Sequence, residues 1–258
     1  MIDDRPRRLG RLHHDPEALA QAPHLADHRF AAMAPARAVD RQAVAFQPRM
    51  FSNDTLPVCT CAALANAALA VSALNGFQTL IVDSAVPALY AACVGMPGAS
   101  SSELAGTAGA VAIDVLRRQV TAGFDVGEET RLVGLFGTVP LDRARLATGI
   151  ARLGVGYWGV RLHARDMDAA GSSVPWDDDH RDPGPLEGGH MLNAWDYTGL
   201  GDTDLVRLAT WGGFKSATWR WVKARLDEAY GLVWRQLART DGRDLGVNIA
   251  ALEAALRT

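Results

Sequence analysis

The run CTCAALANAALAVSALN, residues 59–75, is made almost entirely of small and apolar residues and is followed by Gly76. Alanine and leucine are strong helix formers and glycine is a frequent helix stop, so the run predicts one uninterrupted helix. Pro57 stands just before it, and Cys59 opens it. A thiol at a helix N-terminus feels the positive end of the helix dipole, which favours the nucleophilic thiolate. Cys61 competes for that role, but at about 100° per residue it points about 200° away from Cys59. Cys61 shares a stripe with Leu64, Ala68 and Val71, whereas Cys59 lies above Ala62, Ala63 and Asn66. The smaller, more polar face makes Cys59 the expected accessible thiol and Cys61 an expected core residue.

Outward from that helix, further helices are expected over residues 84–94 and 108–122, the second ending at Gly123. The pattern then changes to a strand over 132–139, a helix over 142–153 and a strand over 155–162. Residues 165–189, rich in Pro, Gly and Asp, read as a loop. Residues 190–197 and 204–211 read as a hairpin across the turn 198–203. A helix over about 216–226 and a strand over 230–237 follow. Leu245, Ile249, Leu252 and Leu256 form one face of a final helix. Helices first and strands later predict an α+β domain. Residues 1–50, rich in Pro, Arg, His and Ala, read as an extended arm with a short helix near Pro16 to Gln21. The expected organisation is thus an arm over 1–50, a domain over 51–240 and a C-terminal helix over 241–258.

Composition narrows the classes of function. Hydrophobic residues at 48% and charged residues at 21% are globular values. A net charge of −3 lacks the basic excess that nucleic acid calls for, so no nucleic-acid partner is expected. No apolar run reaches the length of a membrane span, because Asn66, Ser72 and Asn75 interrupt the alanines. The N-terminus MIDDRPRRLGRLHHDP has no apolar core of a signal peptide, which predicts a cytoplasmic address, or a virion if phage-encoded. The three cysteines, Cys59, Cys61 and Cys93, are expected to be reduced and unbridged, with Cys61 and Cys93 buried. No cofactor or metal is expected. In WDDDHRDPGPLE, residues 176–187, three successive carboxylates, Asp177 to Asp179, lack the alternating spacing of a hard-cation loop. His13, His14, His24 and His28 form no convincing metal pair.

His190 lies 131 residues after Cys59, in the sequence EGGHMLNAWDY, within the spacing of about 130–150 residues seen between the cysteine and histidine of papain-like enzymes. The chain resembles that superfamily in further residues. There, a strand beginning with the histidine neighbours one ending in Asn-Ser-Trp-Gly, and the matching residues here are Ala209, Thr210, Trp211 and Gly212. Asn53 stands six residues before Cys59, where the family carries a glutamine of the oxyanion hole. Uncharacterised papain-fold proteins of tailed phages and prophages resemble the chain in three blocks: Asn53, Asp54 and Cys59; Gly188, Gly189 and His190; and Thr210 to Gly212 with Asp227 to Tyr230. Together these blocks cover most of residues 51–237. Two positions depart from the pattern. Pro57 and Val58 replace a Gly-Asp, and Ala209 replaces the asparagine that orients the histidine. Thr210, Asn193 and Asp196 are the polar candidates to take over that role.

The resemblance implies a papain-like fold, a central helix packed on an antiparallel sheet. It implies a peptidase or amidase acting on a peptide or protein. Cys59 would be the nucleophile, His190 the base, Asn53 and the Cys59 N–H the oxyanion donors, Thr210 a possible orienter and Trp211 a shield. The alternative is a catalytically inert structural component of a phage particle, meeting protein partners through the arm and the C-terminal helix.

Overall fold

The computed structural model describes residues 6–127, 130–234, 237 and 247–256. Its centre is helix α1, Cys59–Leu74, in which 12 residues are buried. Alanine on every side lets neighbours approach the backbone closely. Helices α2, Ala85–Cys93, and α3, Ala112–Ala122, pack beside it. Gly123, at φ 76°, ends α3 as a residue with a Cβ would do only under strain.

Six strands make one antiparallel sheet: β1 Gly134–Thr138, β2 Gly156–His163, β3 Leu186–Tyr197, β4 Leu205–Thr210, β5 Gly213–Thr218 and β6 Leu226–Trp234. Their spatial order is β1-β6-β2-β3-β4-β5. Side-chain alternation sends Tyr157, Met191, Ala209 and Tyr230 toward α1, and Trp158, Leu192, Leu208 and Ala229 into a second core on the opposite face. Helices α4, Arg143–Leu153, and α5, Trp219–Arg225, cover that second face. Asp142, expected as the first residue of that helix, instead caps α4 by accepting from Arg145 N.

Several expectations need correction. Residues 132–139 are divided between a short strand, Thr130–Leu132, paired with Phe124–Gly127, and β1. The stretch expected as a loop over 165–189 holds a short helix, Ala164–Ala169, and the first residues of β3. Residues 213–218, partly assigned to a helix, form β5, and Thr218 caps the shorter α5 that follows. The chain turns between β4 and β5 on Trp211 and Gly212 alone, with φ of 44° and 73°. Two successive positive φ values match the right-handed twist of a tight hairpin. Leu245 and part of the expected strand over 230–237 lie outside the described residues; the final helix is seen as Ile249–Ala255.

The N-terminal residues pack along the domain. Leu25 and Phe30 are buried in the second core and Phe46 in the first. Val39 bridges to Tyr197, and the Arg41 guanidinium donates to the carbonyls of Gly154, Trp195 and Ile150. Further upstream, Arg11–Leu12 pairs in parallel with Ala110–Val111. Among the described residues, no helix is long and apolar enough to cross a membrane.

Candidate active site

Helix α1 presents Cys59 from its first turn, and β3 presents His190 from its middle rather than its start. Both line one small pocket with Asn53, Asn66, Met191, Ala209, Thr210 and Trp211. Cys59, His190, Asn53, Thr210 and Trp211, the five residues given roles from the sequence, therefore line one pocket. The faces of α1 sort as expected: Ala62, Ala63 and Asn66 line the pocket beside Cys59, while Cys61 is buried in the core.

The histidine is held on two sides. Its Nε2 lies 2.6 Å from Thr210 Oγ1, and its ring stacks on Trp211 at 4.1 Å between centroids and 20° between planes. Its Nδ1 is buried with no hydrogen-bond partner. Of the polar groups near enough in sequence to replace the orienting asparagine, Thr210 makes the contact. Asn193 Nδ2 instead donates to Gly156 O at 3.4 Å, and Asp196 pairs with Arg207. The hairpin geometry explains why: Ala209 is paired with Asn193 across the strands, and the next residue turns its side chain to the ring.

Asn53 sits just after Phe51 and Ser52, which have φ of 52° and 64°. Such backbone is uncommon for residues with a Cβ and concentrates at functional sites. Asn53 Oδ1 is buried and unpartnered, so a half-turn about Cβ–Cγ presents Nδ2 to the same space. Asn66, which the sequence placed on the Cys59 face without a role, ties this loop to α1. Its Oδ1 accepts from Arg49 N at 2.8 Å and its Nδ2 donates to Arg49 O at 2.9 Å.

Accessibility does not follow the expectation. Cys59 and His190 are each only 1% exposed, and the pocket between them has about 10 Å³ of free space, enough for about one water. The cover is the chain's own segment around Gly10. Gly10 N donates to Gly189 O, Ala110 N donates to Gly10 O, Arg8 N donates to Asn53 O and Trp211 Nε1 donates to Arg8 O. Three glycines let the backbones pass. A Cβ on Gly10 would lie 2.2 Å from Pro57 O, one on Gly109 2.0 Å from Gly10 O, and one on Gly189 2.3 Å from Arg11 O. Burial pushes the Cys59 thiol up to about 11, against the pull of the Met191 amide, the Arg11 charge and the Gly10 and Thr60 amides. Burial, helped by the Arg11 charge, pushes His190 down to about 3. The helix terminus is thus outweighed by desolvation, and the covered pair is a neutral thiol beside a neutral imidazole.

Asp177 binds Arg220 and Thr218, Asp178 faces Arg225, and Asp179 binds Arg165 and Arg181, so the acidic run is a set of ion pairs. No group of metal-binding side chains occurs among the described residues. Cys61 and Cys93 are free thiols, and Cys93 is half-buried rather than buried.

The central helix and the antiparallel sheet packed on it form a papain-like cysteine-protease fold. The chain is similar to xylellain, a cysteine protease from Xylella fastidiosa, at 14% identity and a TM-score of 0.61, covering 90% of this chain and 98% of that one. It is also similar to digestive procathepsin L 3 of the Tenebrio molitor larval midgut, at 13% identity and a TM-score of 0.55, covering 89% of this chain and 76% of that one. At such identities the likeness is one of fold. No protein-family model and no curated protein matches the sequence.

Proposed function

We propose that the chain is a papain-type thiol hydrolase, cleaving a peptide or related amide, held latent by its own N-terminal segment. The observation that carries this reading is the division of labour at His190, which lines one pocket with Cys59: Nε2 is held by Thr210, while Nδ1 is left without a hydrogen-bond partner. That leaves one nitrogen fixed and one available for the thiol proton.

With the segment displaced, water enters and both pKa values move back toward each other. Cys59 Sγ loses its proton to His190 Nδ1 and attacks the carbonyl carbon. The tetrahedral oxyanion is held by the Cys59 N–H and Asn53 Nδ2. The imidazolium returns the proton to the departing amine, and the C–N bond breaks to leave a thioester. Water, deprotonated by the same nitrogen, then cleaves the thioester and frees Cys59. Trp211 shields Cys59 and His190 from bulk solvent.

A second reading keeps the fold as an inert building block, most concretely of a phage particle, with arm and C-terminal helix meeting protein partners. Ala209 in place of an orienting asparagine and the raised Cys59 thiol favour it. Hydrolysis of a mixed fluorogenic peptide library by the full chain carrying Gly10→Ala separates the two. The hydrolase reading expects turnover that Cys59→Ala abolishes. No turnover by the opened chain, or turnover indifferent to Cys59→Ala, favours the inert reading.

A further inference from the structure

Beside the nucleophile the structure holds a second, unassigned constellation. Arg11, the residue after the one lying on Cys59, is swallowed side chain first, at 2% exposure. Its Nη1 donates to Glu228 Oε1 at 2.7 Å, and its Nη2 donates to Asp227 Oδ2 at 2.9 Å and to Val160 O at 3.2 Å. Glu228 is fully buried, and its other oxygen accepts from Tyr230 OH at 2.7 Å, which fixes the carboxylate plane.

This pocket is built in the fold, not improvised by the arginine. The pairing of β6 with β2 slips between Leu226 and Glu228. A bulge of that kind re-aims a side chain, which lets two successive residues, Asp227 and Glu228, serve one guanidinium. Opposite them stands Gly159, where a Cβ would lie 2.4 Å from Glu228 Cγ and 2.9 Å from Arg11 Cδ. The absent side chain is the space in which the arginine stem lies. The occupant does not exhaust the pocket: Arg11 Nε and Asp227 Oδ1 are both buried and unpartnered. A permanent structural pair leaves few such groups unmet, because each gives up its water without gaining a partner.

We propose that Asp227, Glu228, Tyr230 and the Val160 carbonyl form the specificity pocket of the hydrolase, selecting an arginine side chain within two residues of the scissile amide. Arg11 fills it in the closed chain as a substrate mimic, while the neighbouring Gly10 gives Cys59 backbone without a side chain. The planar fork of two donors on two carboxylates favours arginine over lysine. The proposal rests on the hydrolase reading, and its test separates the two.

The full chain carrying Arg11→Ala is titrated calorimetrically with agmatine, a free guanidinium on an aliphatic stem, and assayed on peptides differing only in Arg, Lys, Leu or Glu at one position. Saturable agmatine binding is expected, lost in Arg11→Ala with Glu228→Gln. A preference for Arg over Leu of about thirtyfold or more in kcat/KM is expected, the size of a buried charge partner. Agmatine binding without turnover of any peptide would sustain the pocket and sink the hydrolase. Turnover indifferent to arginine, or agmatine binding unchanged by Glu228→Gln, would overturn the pocket. If Arg11→Ala does not fold, agmatine on the unaltered chain must accelerate Cys59 alkylation, by displacing the arm, more than choline at equal ionic strength. Equal effects of the two cations would overturn the proposal.

Discussion

His190 holds one ring nitrogen against Thr210 and leaves the other without a partner, and the ring makes two separate predictions. Removing the Thr210 hydroxyl with Thr210→Val leaves Nε2 buried and unpaired and frees the tautomer. In a chain opened by Gly10→Ala, kcat should fall about tenfold or more while KM changes little, and Thr210→Ser should restore it. Equal kcat in the valine and threonine chains would remove Thr210 from the mechanism. Burial of the ring carries the pH dependence. Folded, His190 titrates near 3 instead of the ordinary 6.5, so the unfolded chain binds the extra proton between those values. The contribution to stability is full above about pH 6.5 and is lost as pH falls toward 3, at about 1.4 kcal/mol per unit. The fall in Tm between pH 6.5 and 4 should be steeper in the unaltered chain than in His190→Ala; parallel curves would contradict the burial of a neutral imidazole. Cys59 and His190 were legible in the sequence because a helix start, a histidine at a given spacing and a tryptophan-glycine pair are local features. The burial of the pair was not, since it depends on a segment 49 residues upstream of Cys59.

At the scale of elements, the segment around Gly10 is held by backbone contacts that only glycine permits. Gly10→Ala sets a Cβ against the Pro57 carbonyl, which cannot yield as a flexible side chain would. Trypsin should then cut after Arg11 at least about tenfold faster than in the unaltered chain, where that side chain is buried. Unchanged cleavage would mean that the segment is not locked by this contact. Helix α1 and strands β2 and β3 were legible because composition and alternation agree along them. Strand β5 was not: GFKSAT has mixed polarity and runs straight into WRWVKAR, so the helical signal of the latter spread backward over Thr218, its true cap. The role of the Asp227 and Glu228 pair escaped as well, because two adjacent residues of a strand normally face opposite sides and only the bulge unites them.

Across the whole molecule, two cores share one sheet, and polar hubs fix how the covering helices sit. Asp166 is one of these. It accepts from Trp221 Nε1 at 2.8 Å, His163 N at 2.9 Å and Arg225 Nε at 3.1 Å. Asp166→Ala leaves the buried Arg225 guanidinium only its 3.6 Å contact with Asp178 and Trp221 Nε1 without its acceptor, and should cost about 3–5 kcal/mol, read as a fall in Tm of about ten degrees. A loss under about 1 kcal/mol would show that the hub is dispensable. The larger claim is that the same chain carries a nucleophile, its base and the cover that silences both. Its most direct test is the rate of Cys59 alkylation by iodoacetamide from pH 5 to 9, with the modified cysteine identified by mass spectrometry. The unaltered chain should react slowly throughout, as a thiol titrating near 11 must. The Gly10→Ala chain should show a thiolate populated well below the free-cysteine range of about 8.5, and adding His190→Ala should abolish it. An opened chain whose Cys59 titrates as an ordinary thiol, indifferent to His190→Ala, would contradict the account.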